Sequence, residues 1–390
     1  SPDAAREGEI LQSMARYDWW DHRRPRSQAP AVIPKDFSSA AYGVAVPTQG
    51  VARPNAYTLF AGRFLSWLPR LTIVEDLYLL RSMSAVFGML TLWVAWLGAR
   101  ECLGPLGGAT VAVLLALHPQ FAVVSTAAAA DAVVNLLGAC VWWQTTLALK
   151  RSHILLPLTG VWGAAIAAAS TDRMGVPLLA IALVVSIVVI ARRAERLTGP
   201  VAVTFVVVGL VAAAWALDAF GDTYNLPSVF TLNWMPVEGA RSWSFVARFT
   251  SFVHQSWWFS LGWVRYAPPS WWTAVAITLT AIAAVGTGRQ LLDSGASNAS
   301  RRTLVALAVV LVTIQAAAVY WTYLRLGNGA QGKSLFPVLV PCLVLLWCGI
   351  ETWVPTWRRA RAAAALVLLL AALDAAAWGL VAMPAYYASY

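Results

Sequence analysis

The residues able to do chemistry fall in a few short stretches between apolar runs. Asp3, Arg6, Glu7 and Glu9 open the chain, His118 and Asp131 flank one turn, and Asp172 and Arg173 occupy another. His254, Gln255 and Arg265 lie in a Trp-rich stretch, and Gln331 and Lys333 precede an apolar run. A positioned carboxylate takes the proton of an attacking hydroxyl. Arg and Lys neutralise a phosphate, Arg through a planar fork. Each residue also has a plainer reading. Asp3 is a favoured type for a helix N-cap, Glu7 fits a solvated helix face, and Lys333 fits an interfacial snorkelling position. Asp131 enters an apolar run, where a carboxylate needs a cavity or a partner. His118 fits a helix-end hydrogen bond better than a metal site, because no second His or Cys stands at ligand spacing.

The elements that position these groups are membrane helices. Of 390 residues, 59% are hydrophobic and 12% charged, with a mean hydropathy of +0.64. A soluble domain carries about a quarter charged residues, so this composition excludes an ordinary soluble enzyme, a disordered chain and a secreted disulfide scaffold. The predicted fold is an all-α polytopic membrane protein with ten visible spans, at about 77–98, 107–124, 127–148, 154–170, 175–191, 200–219, 271–288, 303–323, 335–352 and 362–382. The second and fourth are short. Residues 1–76 form one expected domain, a first outer loop with interfacial helices such as the stretch from Glu7 to Tyr17. Residues 77–390 form the transmembrane bundle, interrupted by a second long outer loop at 220–270.

Basic residues set the expected orientation. Arg100, Lys150 with Arg151, the Arg192–Arg196 group, Arg289 with Arg301 and Arg302, and Arg358, Arg359 and Arg361 occupy alternate loops. Short loops rich in Arg face the cytoplasm. The candidate chemical residues therefore share the opposite, outer face, where an amphipathic substrate would meet them. Ser1 then lies outside, and a first helix is expected to precede it, giving about eleven spans in all. Seven of the 21 Trp, namely Trp234, Trp243, Trp257, Trp258, Trp263, Trp271 and Trp272, cluster in or just after the 220–270 loop, which is expected to rest on the outer leaflet. The net charge of +10 marks topology rather than nucleic-acid binding. Cys102, Cys140, Cys342 and Cys348 show no metal spacing. Arg in place of Lys and abundant Ala point to a GC-rich bacterial genome. No Walker-type phosphate loop and no GxGxxG occurs, which argues against a nucleotide-driven machine. The inverted hydropathy repeats of many transporters are absent too.

Several stretches resemble the polytopic GT-C glycosyltransferases. Asp3-Ala-Ala-Arg-Glu-Gly-Glu-Ile10, followed by Met14 and Asp18-Trp19, is similar to that family's first outer loop, with its Asp-Glu-x-Arg-Tyr-x-Glu-Ile and Gly-Asp-Trp pattern. Arg53-Pro54-Asn55-Ala56-Tyr57 resembles its Pro-Pro-Leu-Tyr-Tyr element, and Leu80-Arg81-Ser82 the start of its second membrane helix. His118-Pro119-Gln120-Phe121 with Asp131 and Asn135, Ser170-Thr171-Asp172, Trp257 through Gly262-Trp263, and Gln331 through Pro337 look closest to the DUF2142 branch. The resemblance implies sugar transfer, at the outer face of a bacterial inner membrane, from a polyprenyl-phosphate donor to a glycan, lipid or protein acceptor. It makes Asp3 the general base, places Arg6 and Lys333 near the phosphate, and makes Asp131, Asp172, Arg173 and Gln331 substrate-binding or orienting groups. No cofactor is required, although some members use a divalent cation. The chain departs from the pattern at Ala4, at Ala129-Ala130-Asp131 and at Lys333-Ser334. These departures keep open a second reading, a catalytically degenerate structural subunit bound to other membrane proteins.

Overall fold

The computed structural model describes residues 8–10, 12, 13, 16, 55–69, 71–151, 153–192, 199–220, 242–261, 266–293, 299–326 and 331–387. These are helical almost throughout, with no strand beyond one isolated bridge between Leu261 and Tyr266. In chain order the α-helices are α1 (Ala56–Ser66), α2 (Ile73–Ala116), α3 (Pro119–Ser125), α4 (Asp131–Lys150), α5 (Leu155–Thr171), α6 (Pro177–Arg192), α7 (Gly199–Phe220), α8 (Trp243–Trp258), α9 (Ser270–Leu292), α10 (Ala299–Leu326), α11 (Leu339–Glu351), α12 (Arg359–Ala377) and α13 (Met383–Tyr387). A 3₁₀ segment, Gly332–Val338, leads into α11.

Eight helices among the described residues are long and apolar enough to cross a membrane, against ten predicted spans. The difference has two sources. The fourth predicted span is the apolar helix α5, which at 17 residues is shorter than a straight crossing. The first predicted span and the start of the second fall in α2, the second running on through His118 into α3; the 44 residues of α2 would measure about 66 Å if straight. They are not straight. Gly104 has φ 78° and ψ −179°, a region open essentially to glycine alone. In a straight helix, residues 100 and 108 would lie about 12 Å apart. Instead, a Cβ on Gly108 would come within 2.8 Å of the Arg100 Cα. The chain therefore folds back at Gly104-Pro105 into two limbs. At their far end, the Arg81 Nε donates to the Thr126 carbonyl, 3.0 Å away, just past α3.

Local signals explain the helix starts. Thr72 and Glu75 form a reciprocal capping box at α2. Ser242 caps α8 by accepting from the Phe245 N–H. Packing then relies on small residues, as expected where lipid supplies no hydrophobic drive between helices. α7 buries Ala202, Gly209, Ala213 and Ala216 and leaves Val203, Val211 and Trp215 exposed. An apolar face of that kind fits lipid rather than water.

The Trp-rich stretch departs from expectation. Trp257, Trp258 and Trp272 are buried in the core instead of resting on a leaflet. Trp258 lies parallel to the His118 ring at 5.5 Å, and the Trp272 indole N–H donates to the Leu373 carbonyl. Trp243 and Trp271 are exposed, while Trp234 and Trp263 lie outside the described residues. Asp374, inside α12, accepts from the Trp378 indole N–H one turn further along the chain, at 3.1 Å.

Candidate functional site

The site forms where the end of α8, the start of α4, the turn after α5 and the 331–338 segment meet. Asp131 occupies the first turn of α4. Lys333 sits 202 positions away in sequence, and its ammonium donates to the Asp131 carboxylate at 3.1 Å. Both side chains are part-exposed, at 38% for Lys333 and 23% for Asp131, so the pair lies at an opening rather than in the core.

Close backbone contact fixes the lysine. The Gly332 N–H donates to the Ser256 hydroxyl at 2.8 Å. A Cβ on Gly332 would fall on the Trp257 backbone nitrogen, so only glycine lets the segment approach α8 this closely. Gln315 of α10, fully buried, donates to the Met174 and Ser334 carbonyls at 3.1 and 2.9 Å. One amide thus ties the turn after α5 to the lysine segment. In that turn Asp172 accepts from the Met174 N–H at 2.8 Å. Burial raises the Asp172 pKa above the usual carboxylate range, and the negative charge of Asp131 adds to the rise. The Met174 N–H and the charges of Arg173 and Lys333 oppose it. Arg173 is itself exposed.

His118 forms the floor. Its Nδ1 accepts from the Phe121 N–H and caps α3, as the helix-end reading anticipated. The ring is enclosed by Trp257, Trp258 and Phe336 at centroid distances of 4.7, 5.5 and 5.5 Å. Beside it the Gln120 side-chain oxygen accepts from the Ser260 N–H at 2.7 Å. His118 Nε2, Ser125 Oγ and Asn135 Nδ2 are buried without a hydrogen-bond partner among the described residues. Such orphans are uncommon in a closed core and mark polar space.

An apolar cavity of about 650 Å³ adjoins this polar end. α8 contributes Phe249, Val253 and Trp257 to it, α9 contributes Ala284, α10 contributes Val312, and Leu335, two residues from Lys333, completes the junction.

The sequence-predicted residues divide as follows. Asp131, Lys333, Asp172 and Arg173 come together, and Gln331 lies at the start of the 3₁₀ segment that carries the lysine. Asp3 and Arg6 lie outside the described residues. Gln315 and Ser256 were missed, and Gln120 stood in a family-like segment with no role assigned to it. Gln315 had a usable signal, since an amide inside an apolar run must find partners. Of the two acids that could share the divalent cation allowed by the resemblance, Asp3 lies outside the described residues. Asp131 is already paired with an ammonium, and no group of three His, Cys, Asp or Glu that could hold a metal occurs among them.

No family model, curated protein or solved structure matches the chain.

Proposed function

We propose that the chain is a GT-C-like glycosyltransferase of the bacterial inner membrane, transferring a sugar from a polyprenyl-phosphate donor to a glycan, lipid or protein acceptor outside the cytoplasm. The observation that carries this reading is the junction of a charged, part-exposed rim with an apolar cavity. That pairing suits a ligand with a phosphate head and a hydrocarbon tail. Lys333 meets the phosphate, Asp131 holds the lysine in place, and the cavity beneath α8 takes the first part of the lipid. The acceptor hydroxyl attacks the anomeric carbon and gives its proton to Asp3. The bond between that carbon and the phosphate oxygen breaks, and the polyprenyl phosphate departs with its charge balanced by Lys333 and Arg6. A departing phosphate needs cations rather than a general acid.

The test is transfer from a panel of polyprenyl-phosphate sugars by purified protein in liposomes. Asp3→Asn should lower kcat by about 10²- to 10⁴-fold, as removal of a general base does. Lys333→Gln should raise the donor KM about ten-fold or more, since a charge-assisted hydrogen bond contributes about 1.5–3 kcal/mol. The second reading, a degenerate subunit of a membrane complex, draws on Ala4 in place of the second acid. It predicts no transfer by the wild-type protein with any donor, together with co-purifying partner chains that survive Asp3→Asn.

A further inference from the structure

The opposite end of the bundle carries a second polar pocket, of about 700 Å³. Three arginines from three helices reach it: Arg289 in the last turn of α9, Arg301 in the first turn of α10, and Arg359 at the start of α12. Two acids, Glu351 and Asp293, line the pocket with them, one fewer than the guanidiniums. Buried Glu351, at the end of α11, serves both Arg301 and Arg359. A carboxylate has about four lone-pair sites, whereas two guanidiniums offer about ten N–H donors. The Nε of Arg301 and of Arg359 is buried with no hydrogen-bond partner among the described residues, and so is the side-chain oxygen of Gln290 on the same wall. Asp293 also lines the pocket, and its carbonyl accepts from Arg302 at 2.8 Å, which brings in a fourth guanidinium.

The position selects the ligand. Four helix ends meet here, so the pocket lies at headgroup depth. Next in the chain to its lining residues stand exposed Trp353, between Thr352 and Val354 and under Arg289 at 5.5 Å, and exposed Trp357, two residues before Arg359 and under Arg358 at 4.1 Å. Indoles favour that layer.

We propose that this pocket binds a phosphodiester, supplied by the headgroup of an anionic phospholipid, with Arg289 and Arg359 as its donors and Glu351 as the brace that orients Arg359. Guanidinium forks match phosphate oxygens, and a bare requirement for positive charge would be met equally by lysine. The site is independent of the proposed glycosyl-transfer site, since it shares no residue with it.

The test uses the full chain in nanodiscs of phosphatidylcholine, with or without phosphatidylglycerol. Melting temperature and lipid retained in native mass spectrometry are the readouts. A ligand that binds only the folded state raises stability, so phosphatidylglycerol should raise the melting temperature and remain bound. Arg289→Gln with Arg359→Gln should abolish both effects. Arg289→Lys alone should weaken them, and Arg289→Gln alone serves if the double variant fails to fold, because Arg289 is exposed and makes no ion pair with Glu351. Inorganic phosphate added to phosphatidylcholine discs should leave the melting temperature unchanged. The proposal is overturned if phosphatidylglycerol has no effect, if its effect persists in the variants, if Arg289→Lys matches wild type, or if free phosphate reproduces the shift.

Discussion

At the scale of single residues, the candidate site depends on two carboxylates in different states of compensation. Asp131 has an ammonium at 3.1 Å, while Asp172 has a backbone N–H at 2.8 Å and a setting whose burial raises its pKa. The difference can be read from pH. Burial lifts the Asp172 pKa in the folded chain above its unfolded value, so the folded state holds the proton more tightly. Stability therefore falls as pH rises from the unfolded value through the folded one, and is constant beyond it. Asp172→Asn should flatten that part of the profile in detergent melting curves, because Asn caps the turn about as well and carries no charge. A steep decline that survives the substitution would assign the titration to another group. The Asp131–Lys333 pair, being part-exposed, should contribute no more than about 1 kcal/mol to stability, so variants there are expected to alter donor use while leaving the fold.

At the scale of elements, the fold-back of α2 is the sharpest constraint. Gly104→Ala places a Cβ in a backbone region that L-residues avoid, and should cost about 1–3 kcal/mol in reversible unfolding. Gly62→Ala is the control, since Gly62 lies within α1 and a Cβ there meets nothing within 4 Å. Equal losses at both positions would show that the turn stores no special requirement. This element also shows what sequence could and could not reveal. Hydropathy located the apolar stretches, with residues 99–106 between the first two reading as a loop of several residues. Only the backbone angles show a turn made at one residue. The aromatic stretch misled for a different reason. An indole is equally suited to a leaflet surface and to a core, so its type alone could not tell that Trp257 and Trp258 enclose His118. The 202-residue reach between Lys333 and Asp131 was accessible as a shared membrane face, because alternation of loops assigned both turns to one end. Gln315 escaped because a single amide barely lowers the hydropathy of its run.

At the scale of the whole molecule, the two ends differ in charge and in furnishing. One end gathers Asp131, Asp172, Lys333 and the enclosed His118. The other gathers Arg289, Arg301, Arg359 and Glu351, with Lys150 donating to the Glu101 carbonyl nearby in sequence to the α2 turn. Arg bias predicts that the second end faces the cytoplasm. Ser242 and Thr356 are exposed at opposite ends. An impermeant thiol reagent applied to intact cells should label Ser242→Cys and spare Thr356→Cys, and the reverse pattern would invert the orientation and with it the proposed outer-face chemistry.

The turn at Gly104 also bears on how the protein can move. A one-residue connection leaves the two limbs of α2 no slack to slide past one another, so relative motion between them is confined to a pivot about Gly104, where the Arg100 and Gly108 backbones already touch. The Arg81–Thr126 hydrogen bond at the far end opposes even that pivot.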